Sequence, residues 1–192
     1  MTALPLLSIH QIDQLLSGEV ISDAHPWATR DEQIIEQHLK AACAAVSGLA
    51  GVSSRIEWGH YGSGYASFVD AWFYKTGADF EMKTRPGTGQ HYVGLVVLLS
   101  RLSPWFVFMQ GEKHWHARGG GSYLPDPTML DHLTHAGVLH LAQAVQPVLE
   151  NLGFVRARRG ELSQPLPPDK EVPTILTSGP FTQFDALFYW ED

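Results

Sequence analysis

Three stretches within residues 65–117 constrain the fold of this chain more than any other feature: YASFVDAWFYK (65–75), HYVGLVVLLS (91–100) and WFVFMQGEKHWHA (105–117). Each is dense in aromatic and β-branched residues, which suit the pleated, half-buried surface of a strand. Only RLSP (101–104) separates the last two, a connection short enough to make them an antiparallel hairpin. KTRPGTGQ (83–90), with a proline and two glycines, reads as the preceding turn. RIEWGHY (55–61) is a further candidate strand.

Helical periodicity brackets this meander. Ser8 and Gln11 have capping-box spacing ahead of a short helix over 9–17, which Gly18 stops. Thr29 and Glu32 repeat the spacing ahead of a helix running to about Gly48. Its stripe is Ile35, Leu39, Ala42, Val46 and Leu49, with Glu36–Lys40 as a surface pair. Asp126 as N-cap and Pro127 at the first position predict a long helix. Leu130, Leu133, Gly137, Leu141, Val145, Val148 and Leu152 keep one face of it, Pro147 should kink it, and Gly153 ends it. GFVRAR reads as a strand start and 161–173 as a proline-rich connection. FTQFDALFYWED closes the chain as a strand in which Phe184, Ala186, Phe188 and Trp190 alternate. This order predicts an α+β fold, one domain over 1–192, with two N-terminal helices and one long helix on one face of an antiparallel sheet.

Charge excludes some partners. The chain carries 20 acids and 13 bases, a formal net charge of −7. The acids are spread: 10 fall in residues 1–100 and 10 in 101–192. Nucleic-acid binding normally needs a basic patch, and the only basic cluster is RARR (156–159), which reads as a solvated turn. An acidic surface suits a basic protein partner. The start MTALPLLSIHQ lacks a signal-peptide pattern and GLVVLL (94–99) is too short to span a bilayer, so no membrane association and a cytoplasmic location are expected. The single cysteine, Cys43 in AACAAV, leaves no internal disulfide and reads as a packed small hydrophobe.

Several patterns bear on chemistry. On a strand, Glu112, His114 and His116 share a face, and two histidines with a carboxylate can bind a divalent transition metal. Their HxH spacing resembles the cupin metal motif, but the glutamate expected after the second histidine is absent from ARGGGSY. The first reading is polar strand residues running into a flexible GGG loop (119–121); a metal-binding protein or metal-dependent enzyme is the alternative. The GGG lacks the features of a phosphate loop. His132 and His135, with Asp131, project from the polar side of the predicted long helix, and His140 flanks them. GxSxG is missing, and Cys43 sits on an apolar helix face, a poor place for a reactive thiolate. Asp70 and Asp185, each inside an aromatic segment, either face solvent or are buried with a shifted pKa; alternation favours the exposed face. Tyr61, Tyr65, Tyr74, Trp115, Tyr123 and Tyr189 fall near loops or opposite faces, where aromatics either belong to a wet-edged core, the first reading for each taken singly, or anchor an interface.

The ending FDALFYWED and the segment SFVDAWFY resemble bacterial immunity proteins, which protect cells from polymorphic or secreted toxins. That resemblance implies an acidic, cytoplasmic α+β protein. It would bind and neutralise a cognate toxin, such as a type VI or other secreted effector, by direct contact without catalysis or cofactor. Asp70, Asp79, Glu81, Asp185, Tyr189, Trp190, Glu191 and Asp192 are the expected partner contacts. A third class, a non-catalytic accessory subunit or homodimer joined through aromatic strands, fits the same lack of catalytic groups.

Overall fold

The meander forms as expected. In the computed structural model, which describes residues 6–77, 79–82 and 89–192, strands β1 (Val52–Glu57), β3 (Phe68–Lys75), β4 (Gln90–Ser100), β5 (Trp105–His116) and β6 (Gly119–Ser122) lie side by side, antiparallel. The expected turn at 83–90 lies, for residues 83–88, outside the described residues. β7 (Val155–Arg156) joins the start of β5 in parallel. β2 (Tyr65–Ala66) and the C-terminal β8 (Trp190–Glu191) form a separate two-stranded ribbon. With α1 (Ile9–Leu16), α2 (Glu32–Ser47), α3 (Ala136–Asn151), α4 (Arg159–Leu162) and α5 (Gln183–Leu187), the fold is α+β. No helix among the described residues is long and apolar enough to cross a membrane.

Register sorts the strand residues onto two faces. Val69, Ala71 and Phe73 share one with Leu95, Val97, Phe106 and Phe108. The helices α2 and α3 pack there, the first through its Ser47 hydroxyl, 2.9 Å from that of Ser54 on β1. The opposite face carries Phe68, Asp70, Trp72 and Tyr74, with Glu57 and Arg55 of β1 and Gly94, Gly111, Lys113 and Trp115 in register. Phe68 meets Phe188 there at 6.1 Å between ring centres, and α1 packs against α5. The indole of Trp72 lies over Gly94, where a Cβ would come within 2.5 Å of the ring, and donates to the Gly111 carbonyl at 3.0 Å.

Several elements differ from expectation, each for a local reason. Asp31, not Thr29, caps α2: its carboxylate accepts from the N–H groups of Gln33 and Ile34. Asp126 does cap a helical turn, but only the short Pro127–Met129. The long helix starts ten residues later in sequence at Ala136, with His135 as its cap, so Leu130, His132 and Leu133 precede it. The final segment is not one strand. Asp185 accepts from both the backbone N–H (2.6 Å) and hydroxyl (2.8 Å) of Thr182 and so nucleates α5 over Gln183–Leu187. The GGG segment is strand β6 rather than a loose loop; a Cβ at Gly120 would meet the His114 carbonyl oxygen at 2.3 Å. Arg156 is not in a solvated turn: it binds Asp131 at 2.6 Å and Gln146 at 2.7 Å, and covers the Phe108 ring.

Candidate functional site

The stretch GHYGSGY (59–65) links β1 to the ribbon by a turn in which His60 and Tyr61 both have positive φ, 53° and 56°. For non-glycine residues such backbone costs about 1–3 kcal/mol each, and it persists only where the surroundings impose it. The Glu57 carboxylate imposes it here, accepting from the N–H groups of Gly59 (2.7 Å) and Tyr61 (3.2 Å). Burial of Phe68, Trp72 and Phe73 on the adjoining strand, about 1.5–3 kcal/mol for each large apolar side chain, outweighs the cost. The strained turn aims two side chains in different directions.

Tyr61 points onto the sheet. Its hydroxyl donates to Asp70 Oδ2 at 2.7 Å, while Tyr123, arriving from beyond β6, donates to Oδ1 at 2.6 Å. Asp70 is 2% exposed. Burial pushes its pKa up, against the pull of the Lys113 ammonium and the two hydroxyls. Burial and the neighbouring Asp70 charge push both tyrosines up, so they stay protonated donors. The Tyr123 ring lies against Gly111, where a Cβ would come within 2.3 Å of it. Lys113 sits over that ring at 4.8 Å, and burial lowers its pKa while Asp70 opposes the shift. Beside them, Trp72, Tyr74, Tyr92 and Trp115 form a run of ring contacts capped by the Arg55 guanidinium at 3.9 Å from Trp115. The network is closed: each Asp70 oxygen has a donor, and the carboxylate has no exposed path to a ligand.

His60 points the other way, into a cleft of about 780 Å³ between α1, α2 and the ribbon, which Tyr65, Arg101, Arg30, Glu32 and Glu36 also line. Its Nδ1 accepts the Ala66 N–H at 2.9 Å. Burial and the nearby Arg101 charge lower its pKa. The ribbon forms one border of the cleft, since Tyr65 pairs with Glu191. Trp190 rests on the Tyr61 ring at 4.5 Å and donates its indole N–H to the Ser63 carbonyl at 3.0 Å.

The expected partner contacts are divided by the fold. Asp70, Asp185 (4% exposed) and Tyr189 (2% exposed) are interior and leave the contact set. Alternation failed for Asp70 because both faces of β3 are covered. Asp185 is turned inward on α5, where burial raises its pKa against its bonds to Thr182. Tyr189 donates its hydroxyl to the Leu15 carbonyl at 3.1 Å. Trp190, Glu191 and Asp192 remain at the surface on the ribbon. Asp79 and Glu81 are also exposed, but they follow the far end of β3, roughly 25 Å from its start for an eight-residue strand. The acids therefore form two patches.

The alternative metal residues do share an exposed face of β5. Glu112 pairs with His91 at 3.0 Å, His114 faces the His91 ring at 5.8 Å, and the His116 ring accepts from the Arg118 N–H at 3.1 Å. Among the described residues, no group of three or more His, Cys, Asp or Glu side chains is placed to hold a metal ion. His132 is exposed and His135 accepts from the Val138 N–H, while Asp131 is committed to Arg156 and the Arg159 N–H. Cys43 is 2% exposed, and burial pushes its thiol up to about 12.

Sequence reasoning passed over Glu57, His60, Arg101 and Lys113. The available signal was the glycine-flanked GHYGSGY, three glycines around two aromatic residues and a histidine, which marks a tight and shaped turn. Compared with known protein families, curated proteins and solved structures, the chain finds no match.

Proposed function

We propose that this chain is an immunity protein that binds a cognate bacterial toxin and neutralises it by direct contact, without catalysis of its own. The observation that carries the reading is the C-terminal ribbon. There Trp190 is held half-exposed by Tyr61 and Ser63, beside Glu191 and the exposed Asp192. A rigid, partly exposed aromatic is a common interface anchor, and the acids beside it together with the net charge of −7 favour a basic partner. Resemblance of FDALFYWED to the endings of immunity proteins supports the same conclusion. The acids Asp79 and Glu81, at the other end of β3, form a second and independent contact patch.

The test is protection. The product of the neighbouring gene is expressed in a bacterial host with and without this protein, survivors are counted, and the complex is co-purified. Rescue should be lost or weakened at least about tenfold by Glu191→Lys with Asp192→Lys, a pair chosen to reverse charge without disturbing buried groups. Rescue that survives this pair but fails with Asp79→Lys and Glu81→Lys moves the contact to the second patch. A neighbour that is harmless, or toxic and not rescued, rejects the proposal.

A further inference from the structure

The cleft beside the ribbon contains a cation with few partners of its own. Arg101 leaves the β4–β5 turn with its backbone N–H fixed to the Ser67 carbonyl at 2.8 Å. Its side chain is half-buried, and Nη2 donates to the Trp58 carbonyl at 3.2 Å. Nε is buried with no hydrogen-bond partner, and Arg101 takes part in no ion pair among the described residues. A guanidinium has five N–H donors in a planar fork, and a buried donor left unmatched is costly. Burial lowers the Arg101 pKa although Tyr65, Glu36 and Glu32 pull it up, so the surrounding acids do not offset its desolvation. Glu36 is itself engaged by Lys40 at 2.6 Å.

Two further donors face the same space. Because His60 Nδ1 accepts the Ala66 N–H, the neutral ring carries its proton on Nε2, free to donate. Burial pushes the Tyr65 hydroxyl up to about 12, which keeps it a protonated donor. The His60 and Tyr65 rings lie 5.4 Å apart. Half-buried Val20, with Ile35 and Leu102 behind it, supplies an apolar wall to the cleft, and Leu39 backs it from the core.

We propose that Arg101, His60 and Tyr65 form a binding site for the carboxylate of a small organic acid, whose apolar body lies against Val20, Ile35 and Leu102. A carboxylate matches the part of the guanidinium that lines the cleft and accepts from His60 and Tyr65, while the buried Nε stays out of its reach. Three acids, Glu19, Glu32 and Glu36, line the cleft with two arginines, Arg30 and Arg101, and this balance favours a singly charged anion over a phosphate dianion, which the acids repel more strongly. The apolar wall selects an acid with a hydrocarbon or aromatic body over acetate. The site borders the ribbon that carries the proposed toxin contact, since Tyr65 pairs with Glu191, but binding of a carboxylate there does not depend on a toxin.

The experiment titrates the purified full chain with benzoate, acetate and inorganic phosphate at constant ionic strength, reading the His60 ring resonances by NMR. Benzoate should give a saturable shift, acetate a weaker one, and phosphate the weakest. Arg101→Gln should weaken benzoate binding at least about tenfold, and Tyr65→Phe, which removes only a hydroxyl, about threefold or more. The thermal midpoint of each variant establishes that it is folded. A non-saturating response to benzoate overturns the site, as does an isotherm that neither substitution changes. Phosphate binding more tightly than benzoate overturns the assignment to a carboxylic acid.

Discussion

Asp70 and Arg101 are both drawn into the protein by the same short turn, and they are treated in opposite ways. Asp70 lies on the closed face of the sheet, with Tyr61 on one oxygen and Tyr123 on the other. Arg101 lies in an open cleft with one carbonyl and a buried, partnerless Nε. Tyr61 belongs to the first arrangement and its neighbour His60 to the second. A buried polar group whose partners are complete acts as part of the frame. One whose partners are incomplete destabilises the frame and leaves capacity for something from outside. Nearness of charged residues in sequence says nothing about which case applies; the count of donors and acceptors around each does.

The contrast predicts a large asymmetry on substitution. Asp70→Leu removes the acceptor of two buried hydroxyls and should destabilise the fold by about 2–6 kcal/mol, at about 1–3 kcal/mol for each buried donor left unsatisfied. Urea unfolding followed by tryptophan fluorescence measures it. A cost below about 1 kcal/mol would mean that the network is not part of the frame. Gly111→Ala attacks the same network sterically, since its Cβ would come within 2.3 Å of the Tyr123 ring. Overpacking of this kind costs about 1–3 kcal/mol. The Tyr123 hydroxyl proton, expected as a slowly exchanging NMR signal in the wild type, should disappear in this variant.

A smaller and more specific effect follows from titration. The folded protein holds the Asp70 proton more tightly than the unfolded chain does, because burial raises its pKa. Its contribution to stability is therefore complete below the ordinary carboxyl pKa of about 3.9 and is lost as pH rises through the folded value. Asp70→Asn, neutral throughout, should cost about 1–2 kcal/mol at low pH, the scale of a disrupted hydrogen bond. That cost should shrink as pH rises. Because Asp185 shifts in the same direction, the difference between the wild type and Asp70→Asn is the quantity to follow. A cost that grows with pH would show that the folded state prefers the carboxylate, with Lys113 and the hydroxyls outweighing burial.

Local signals carried much of the fold. The Ser8–Gln11 box, the stripe of α2, and the hairpin across RLSP all appear where residue chemistry places them, because each depends on neighbours within a few positions. Errors arose where two local signals competed. FTQFDALFYW alternates like a strand, yet Thr182 and Asp185 have capping spacing, and the cap wins because both faces of the resulting helix are buried. After Asp126 the helical stripe seemed continuous from Leu130, but Asp131 takes positive φ to reach Arg156 and interrupts it. The candidate site was the least legible part. Asp70 meets Tyr61 nine residues away and Tyr123 53 residues away, and Arg101 meets the Trp58 carbonyl 43 residues away. No periodicity encodes such meetings; the sheet register and one strained turn produce them.

The smallest expected effect is the one that most sharpens the contrast. Arg101→Met removes the guanidinium while keeping a flexible apolar stem of similar length. If Arg101 were part of the frame, as Asp70 is, this change would cost several kcal/mol by analogy with other broken buried groups. With only the Trp58 carbonyl as a partner, it loses one hydrogen bond, about 0.5–1.5 kcal/mol net, and is relieved of desolvating a charge and a buried Nε. These terms oppose each other, so urea unfolding without added acid should place the variant within about 1 kcal/mol of the wild type. Saturating benzoate should then raise the stability of the wild type and leave the variant unchanged, because only a ligand that prefers the folded state shifts the equilibrium. A large cost without ligand would make Arg101 a second Asp70, committed to holding the turn.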